Sequence, residues 1–389
     1  MTSIRESIRQ RFITPITPIE PGVYQYQAPQ EDPRNFRVHL RVENNGEGVM
    51  IVNAATVLHL NQTAAEYAYY LVQSMPEQDA AEVVASRYRV SFEQALQDYS
   101  DFKETIDTLV TIPDLDPIAY LGFDRTRPYS GEITAPYRLD CALTYQLPPN
   151  LDPQFAPHTR ADRDLSSQEW ITILDKSWAA GIPHIIFTGG EPTLRDDLLE
   201  LIQYSEDLGQ VTGLLTDGIR LSESGYFESL LNTGLDHMLI LLQPDHDELW
   251  DSIQLASQSD IYTTVHISIS QQEEKNIDAY LQRLSEMEVP SVSLSAATEG
   301  IEDALVAAQE LAANLDISLV WDTPVPYSMK NPFALEFKGR ERPPGAGHAW
   351  LYVEPDGDVL PDQEINEVLG NLVRDPWDDV WQAALKRLS

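Results

Sequence analysis

Strand-like and helical segments alternate along the larger, C-terminal part of this 389-residue chain, and this alternation limits the folds that it can adopt. Apolar runs typical of strands (RLDCALTY, HIIFT, VTGLLT, HMLILL, YTTVHISIS, SVSLSA) are separated by amphipathic stretches such as SQEWITILDKSWAAG. A capping-box pattern at Ser166 and Glu169 marks the start of the first helix. Six or more such units form a parallel sheet that closes fully or partly into a barrel. The pattern predicts an α/β fold with a partial TIM-like (β/α)6 barrel over residues 136–322, with its functional edge at the carboxyl ends of the strands.

The charge balance is strongly acidic, since 62 Asp and Glu against 26 Lys and Arg give a formal net charge of −36. Such a charge disfavours nucleic acid and anionic membranes as partners and favours basic ones, including a basic peptide. The alternative is that the surface carboxylates only keep the protein in solution. The single cysteine suits a reducing cytoplasm, and no apolar run approaches the ~20 residues of a membrane span. We therefore predict a cytoplasmic protein that binds neither nucleic acid nor membrane.

A glycine-rich loop follows the second predicted barrel strand, in the run IPHIIFTGGEPTLRDDLLELI. Its residues are Gly189, Gly190, Glu191 and Pro192. The loop resembles the Gly-Gly-Glu-Pro motif of the radical S-adenosylmethionine (SAM) superfamily, in which exposed backbone and the carboxylate hold the amino group of the cofactor's methionine. By itself the motif also suits an ordinary strand-to-helix turn with an acidic residue at the helix start. The resemblance implies a SAM site at this loop.

The cluster ligands of that superfamily are missing from the preceding segment. Where the family has three cysteines that carry a four-iron cluster, this chain reads LTYQLPPNLDPQF, and the ligand positions fall on Leu147, Leu151 and Gln154. Leucine has no lone pair for iron, and one neutral amide does not replace three thiolates. The only cysteine, Cys141, lies in the first barrel strand and is interpreted as a buried hydrophobe. We expect no iron–sulfur cluster, and at most weak SAM binding at a vestigial site.

The end of the chain resembles the auxiliary-cluster (SPASM-type) extension of peptide-modifying radical enzymes. It keeps the family's Pro-Asp-Gly turn and the Leu-Gly-Asn-Leu run. Pro344 and Asp362 occupy the positions of two family cysteines. The resemblance therefore assigns residues 323–389 to a degenerate extension without metal ligands.

The first part of the chain predicts a separate small module. Residues 1–34 are rich in Pro and polar residues and predict an N-terminal arm or an edge segment. Short alternating runs and three helical segments predict a winged-helix-like α+β domain over residues 35–115, followed by a linker at 116–135. A capping-box pattern at Thr63 and Glu66 marks the first helix. The module resembles the PqqD-like domains that bind the leader of a ribosomally made peptide as an added strand.

That resemblance also implies where a peptide would bind, namely on the exposed edge of the third predicted strand and against the last helix. The strand residues are Thr56, Val57, Leu58 and His59, and the helix residues are Leu96, Tyr99 and Phe102. The helix residues are spaced so that they can share one face. Two alternatives stay open: the side chains form the module's own core, or the module is an ordinary winged helix that packs on the next domain or binds DNA, which the acidity disfavours.

With the family resemblance, the missing ligands predict a cluster-less radical SAM-like pseudoenzyme rather than an enzyme. It would hold a precursor peptide and present it to, or regulate, a separate catalytic maturation enzyme. The alternative is an enzyme that uses the same barrel mouth for a non-radical modification of a peptide. An ordinary radical maturase is left only if the residues at 147, 151 and 154 are engineered or the alignment of the ligand positions is wrong. No catalytic residue, metal site or resident cofactor is predicted.

Overall fold

The computed structural model describes residues 19–29, 31–32, 34, 36–53, 56–112, 133–148, 161, 163–271, 273–296, 300–320, 345–363 and 365–388. Three of the predicted ligand positions, Leu151, Gln154 and Pro344, lie outside these residues. The chain divides into two compact units, Met1–Ser130 and Gly131–Ser389, and each is described by itself.

The N-terminal unit contains a four-stranded antiparallel sheet followed by three helices. The strands lie in chain order across the sheet, so that β1 and β4 are its two edges. Strand β1 lies within the segment predicted as an arm or an edge segment. The elements are β1 (Gly22–Gln27), β2 (Arg37–Val42), β3 (Gly48–Val52), β4 (Thr56–Leu60), α1 (Gln62–Val72), α2 (Glu77–Arg87) and α3 (Phe92–Thr111).

Helix α1 begins differently from the prediction. The side chain of Asn61, rather than Thr63, caps the helix by accepting the N–H of Ala64 at 3.0 Å. Glu66 is 1% exposed and takes no part in capping. It binds the hydroxyls of Tyr70 (2.6 Å) and Tyr88 (2.8 Å) and the guanidinium of Arg87 (2.7 Å). The predicted capping box is therefore wrong, because the carboxylate of Glu66 bonds to residues at the end of α2 and not to the start of α1.

The C-terminal unit is built on parallel strands that lie in chain order, β5 to β11, with helices between them. Within the described residues β11 does not pair with β5, so the barrel is partial, as predicted. Ser166 and Glu169 form the predicted capping box at the first of its helices. The strands are β5 (Arg138–Thr144), β6 (His184–Gly189), β7 (Val211–Thr216), β8 (His237–Leu241), β9 (Tyr262–Ile269), β10 (Ser291–Ala296) and β11 (Ser318–Leu319). The helices are α4 (Ser167–Ala179), α5 (Leu198–Leu208), α6 (Tyr226–Leu231), α7 (Asp247–Ser257), α8 (Ile277–Glu286) and α9 (Glu302–Asn314).

A C-terminal extension continues the same sheet beyond β5. Strand β12 (Trp350–Val353) is parallel to β5, while β13 (Asp358–Leu360) and β14 (Gly370–Asn371) are antiparallel additions. Helix α10 (Trp377–Leu388) ends the described chain. No helix in the described ranges is both long and apolar enough to cross a membrane.

Alternate residues of the barrel strands face the helices and the concave side. Thr212 faces the helices, because its hydroxyl donates to Glu206 on α5 at 2.9 Å. The next residue, Gly213, faces the concave side, where a Cβ would lie 2.2 Å from the ring of His237. The register of β5, β6 and β7 places Cys141 on the helix side, where it is fully buried. Cys141 is therefore a core residue, as predicted.

Candidate functional site

The glycine-rich loop lies at the carboxyl end of β6, packed against the end of β5. The N–H of Gly190 donates to the carbonyl of Thr144 at 2.6 Å, and the N–H of Glu191 donates to that of Gln146 at 2.8 Å. A Cβ on Gly190 would lie 2.1 Å from the Gln146 carbonyl, and one on Gly189, whose φ is +124°, would lie 2.3 Å from that of Thr144. Both glycines are therefore required by the close approach of two backbones.

Glu191 is 2% exposed and turns inward from this loop. One carboxyl oxygen accepts the N–H of Thr193 (2.9 Å) and the hydroxyls of Thr193 (2.6 Å) and Thr216 (2.8 Å). The other oxygen accepts the N–H of Asp217 at 2.7 Å. Glu191 thus joins the loop after β6 to the end of β7. Burial, followed by the nearby Asp217 carboxylate, raises the pKa of Glu191 to about 8.

Asp217 is the second buried carboxyl at this edge, with 4% of its surface exposed. Its Oδ1 accepts the N–H of Ile219 at 2.9 Å, whereas Oδ2 is buried with no hydrogen-bond partner among the described residues. Burial raises the pKa of Asp217, while the hydrogen bond from the N–H of Ile219 and, to a lesser extent, His246 oppose the shift. An orphaned buried carboxylate oxygen beside a second carboxyl suits a cationic group such as an ammonium.

A polar ladder lines the concave face of the last barrel strands. The hydroxyls of Thr264 and Ser291 lie 2.7 Å apart. The Nδ1 atom of His266 lies 3.1 Å from the hydroxyl of Ser293, and its Nε2 lies 3.0 Å from that of Ser295. Burial lowers the pKa of His266 to about 3, so the ring is neutral at neutral pH. Neutral imidazole and hydroxyl groups both donate and accept, and the ladder can therefore bind polar groups of either kind.

The sequence prediction did not include this ladder, although its signal is present. The runs YTTVHISI and SVSLSA place a polar residue at every second position. In a parallel sheet that faces helices on one side, such alternation indicates a second face with polar neighbours. The apolar positions of these runs predict the strands, and the polar positions between them predict the ladder.

The described cluster positions carry no iron ligand set. Leu147 is half-buried after β5, and Asp362 accepts the indole N–H of Trp350 at 2.8 Å. The single thiol, Cys141, is buried on the helix side, and burial raises its pKa. Among the described residues no group of three His, Cys, Asp or Glu could hold a metal ion. These donors do not fit a cluster that is held by three cysteines.

The predicted peptide-binding residues fall in two places of the N-terminal unit. Thr56, Val57, Leu58 and His59 lie on the edge strand β4. On α3, Tyr99 is 1% exposed and belongs to the core between α1, α2 and α3, with Leu96 and Phe102 packed partly buried against it. The strand residues therefore lie at an edge of the sheet formed by the described strands, whereas the helix residues pack against the helices of their own unit. Their role in peptide binding stays a prediction.

Comparison with known proteins supports the resemblance drawn from the motifs. The profile of the Radical SAM superfamily matches residues 141–267. A PqqA peptide cyclase of Rhizobium meliloti (strain 1021) is 38% identical over 95 residues, or 24% of this chain and 25% of the relative. A PqqA peptide cyclase of Ruegeria pomeroyi is 34% identical over 124 residues, or 31% of this chain and 33% of the relative. The similarity thus spans about a quarter to a third of these relatives.

Among solved structures, SuiB of Streptococcus suis shares the fold. Its crystal structure bound to S-adenosylmethionine superposes with a TM-score of 0.60 at 15% identity, and the alignment covers 92% of this chain and 88% of SuiB. The structure of SuiB bound to its precursor peptide SuiA gives the same TM-score at 14% identity. At this identity the likeness shows the fold alone.

These findings correct three expectations. A cluster-less pseudoenzyme was expected, yet the matched relatives carry the names of peptide cyclases, so that expectation is wrong. The leaning against an enzyme is wrong on the same ground. The expectation of no cofactor is also wrong, since the superfamily whose profile matches residues 141–267 is named for S-adenosylmethionine. The missing cluster ligands alone therefore do not decide whether the protein is an enzyme. Over residues 141–267, within its barrel, this chain is similar to the Radical SAM superfamily.

Proposed function

We propose that this protein is an enzyme that modifies a ribosomally made precursor peptide in the cytoplasm, at the carboxyl edge of its barrel strands. The names of the curated relatives, PqqA peptide cyclases, support the class of reaction. The SuiB structure with its precursor peptide supports a peptide as the partner. The proposal requires no separate maturation enzyme.

The observation that carries the proposal is the buried carboxyl pair of Glu191 and Asp217 at that edge. Four hydrogen bonds already occupy Glu191, which fixes the loop and leaves Asp217 as the group with an unused oxygen. We propose that the ammonium group of S-adenosylmethionine binds Asp217, because a charge-assisted hydrogen bond would satisfy Oδ2 of this residue. The cofactor would supply a reactive sulfonium.

The chain's own residues then have separate roles. Glu191 holds the loop after β6 against the end of β7 and so positions Asp217 through its N–H. Glycines 189 and 190 let that loop lie directly on β5. The ladder around His266 presents hydroxyl and imidazole groups on the concave face of the same sheet, where it can orient polar groups of a peptide.

Calorimetric titration with S-adenosylmethionine tests the cofactor assignment. The substitution Asp217→Asn should weaken binding by about tenfold, since it removes the charge that pairs with the ammonium. The matched control is Asp196→Asn, an exposed carboxylate on the neighbouring loop, which follows β6. Equal affinities for the wild type and both variants would show that Asp217 does not bind the cofactor.

Co-expression tests the function. The protein is produced with each short reading frame that neighbours its gene, and the peptides are analysed by intact-mass and tandem mass spectrometry. We expect one peptide to change in mass with the wild type and with Asp196→Asn but not with Asp217→Asn. Unmodified peptides in every culture, with soluble wild-type protein present, would contradict the proposal.

A further inference from the structure

We propose that Arg220 and Tyr226 bind the carboxylate of the same α-amino-acid group of S-adenosylmethionine whose ammonium binds Asp217. The inference rests on the proposed function, which supplies this cofactor as the ligand. It adds two residues to the cofactor site. It also gives a partner to the buried hydroxyl of Tyr226, which has none among the described residues.

Buried side-chain atoms without a hydrogen-bond partner gather around the ends of β6 and β7. Besides Oδ2 of Asp217, they include Oγ1 of Thr188 and Oη of Tyr226, neither of which bonds to a described residue. Thr188 faces the concave side, because Ile186, two residues earlier, pairs with Gly213 on that side. Buried polar groups are rarely left unsatisfied, and a cluster of them therefore indicates a polar ligand.

The connection that follows β7 brings Tyr226 close to the glycine-rich loop. It runs through a short 3-10 helix, Ile219–Ser222, and turns into α6 at Gly225, whose φ is +80°. Nη1 of Arg220 donates to the carbonyl of Thr193, directly after the glycine-rich loop. The guanidinium carbon of Arg220 lies 4.4 Å from the centre of the Tyr226 ring. The guanidinium and the phenol therefore lie together at the functional edge of the sheet.

Glu191 connects Tyr226 to Asp217. One of its carboxyl oxygens accepts the N–H of Asp217 at 2.7 Å. Burial raises the pKa of Tyr226 to about 12. Arg220 opposes this shift, whereas the nearby carboxylates of Glu191 and Glu223 add to it. The hydroxyl of Tyr226 therefore keeps its proton at neutral pH and can donate a hydrogen bond.

Arg220 and Tyr226 together offer two donors to an anion. Nη1 of Arg220 bonds to Thr193, and its Nε lies 3.4 Å from Glu223. Nη2 of Arg220 has no hydrogen-bond partner among the described residues. A guanidinium N–H beside a phenol O–H suits a carboxylate, because both are donors and one of them is charged.

The charges of the site match a zwitterion. The pKa of Glu191 is raised to about 8, so this carboxyl is mostly protonated at neutral pH and does not repel a carboxylate. Asp217 and Arg220 then supply one negative and one positive charge. An ammonium and a carboxylate on one carbon match them, whereas a residue inside a peptide chain has neither group free. The α-amino-acid group of the cofactor therefore fits this site better than the peptide does.

The experiment measures the affinity of the full chain for two compounds by isothermal titration calorimetry. They are S-adenosylmethionine and its decarboxylated form, which keeps the ammonium and the sulfonium. The wild type should bind the decarboxylated form about tenfold or more weakly. Tyr226→Phe keeps the ring and removes only the hydroxyl, so it should weaken S-adenosylmethionine by about tenfold and leave the decarboxylated form unchanged. Arg220→Gln should show the same pattern.

The matched control is Tyr204→Phe on α5, where the hydroxyl of Tyr204 donates to Asp175 at 2.7 Å and not to the cofactor site. It should bind both compounds like the wild type. Without ligand, Tyr226→Phe should melt at or above the temperature of the wild type, because it removes a buried oxygen that has no partner. Weaker binding by this variant then does not result from unfolding.

Three outcomes would count against the inference. If Tyr226→Phe weakens both compounds equally, or leaves S-adenosylmethionine unchanged, the carboxylate assignment is overturned and the proposed function stands. If free methionine binds as tightly as S-adenosylmethionine, the site serves an amino acid and the assignment to the cofactor is overturned. If the wild type does not bind S-adenosylmethionine at all, the cofactor assignment of the proposed function itself is overturned.

Discussion

The pH dependence of stability should show whether Glu191 is protonated in the folded protein. Its pKa is raised from 4.5 to about 8, chiefly by burial. The folded form therefore keeps the proton to higher pH than the unfolded chain does, so the stabilising contribution is present below the unfolded pKa and is lost as the pH rises through the folded one. The shift of 8 − 4.5, about 3.5 units, corresponds to at most ~5 kcal/mol at 1.36 kcal/mol per unit. We expect a loss on the order of 3–5 kcal/mol.

The assay is urea unfolding of the wild type and of Glu191→Gln, between pH about 5 and 9, the range that brackets the shift. Tryptophan fluorescence suits it, because all seven Trp residues lie in the C-terminal unit. The acidic surface affects both proteins alike, so the difference between them isolates position 191. The free energy of unfolding should fall more steeply with pH in the wild type than in the variant. Parallel curves would refute the reasoning and show that the hydrogen bonds from Thr193 and Thr216 keep Glu191 ionised.

Three further predictions concern stability and reactivity. Glu66→Ala should destabilise the N-terminal unit by roughly 1–3 kcal/mol in denaturant unfolding, because the hydroxyls of Tyr70 and Tyr88 and the guanidinium of Arg87 each lose a bond to this buried carboxylate; a change near zero would contradict the network. Gly213→Ala should cost roughly 1–3 kcal/mol through its clash with His237, and this cost should largely disappear when it is measured by thermal melts in the His237→Ala background. Cys141 should resist a thiol reagent in the native protein and react fully in urea, whereas rapid native labelling would show an exposed thiol.

The barrel was predictable because its determinants are local and periodic. Apolar runs of strand length, amphipathic helices between them and the capping box at Ser166 and Glu169 all give the same answer, and the structure confirms it. The buried setting of Cys141 followed from its place in an apolar strand. In each case interactions between residues that are close in sequence determine the local structure.

Other features depend on contacts between distant residues. Thr63 and Glu66 have the spacing of a capping box, but the carboxylate of Glu66 binds Arg87 and Tyr88 in the interior. The side chain of Asn61 caps the helix instead. Strand β1 is not evident in the sequence because its residues follow a Pro-rich polar segment, and only pairing with β2 makes them a strand.

The candidate site was predicted in position but not in detail. The sequence located the loop at Gly189 and Glu191, whereas the inward turn of Glu191 depends on Thr216 and Asp217, which lie one barrel unit later. The functional error had a different origin. The missing cysteines concern one cluster, whereas the relatives matched over part of their length carry the name of peptide cyclases.

The most direct test of the central claim is the mass of the precursor peptide after incubation with the purified protein and S-adenosylmethionine under reducing conditions. The account predicts a peptide whose mass changes only when both protein and cofactor are present, and which stays unchanged with Asp217→Asn. A peptide that binds to the wild type but keeps its mass under these conditions would contradict the claim that this protein is a peptide-modifying enzyme.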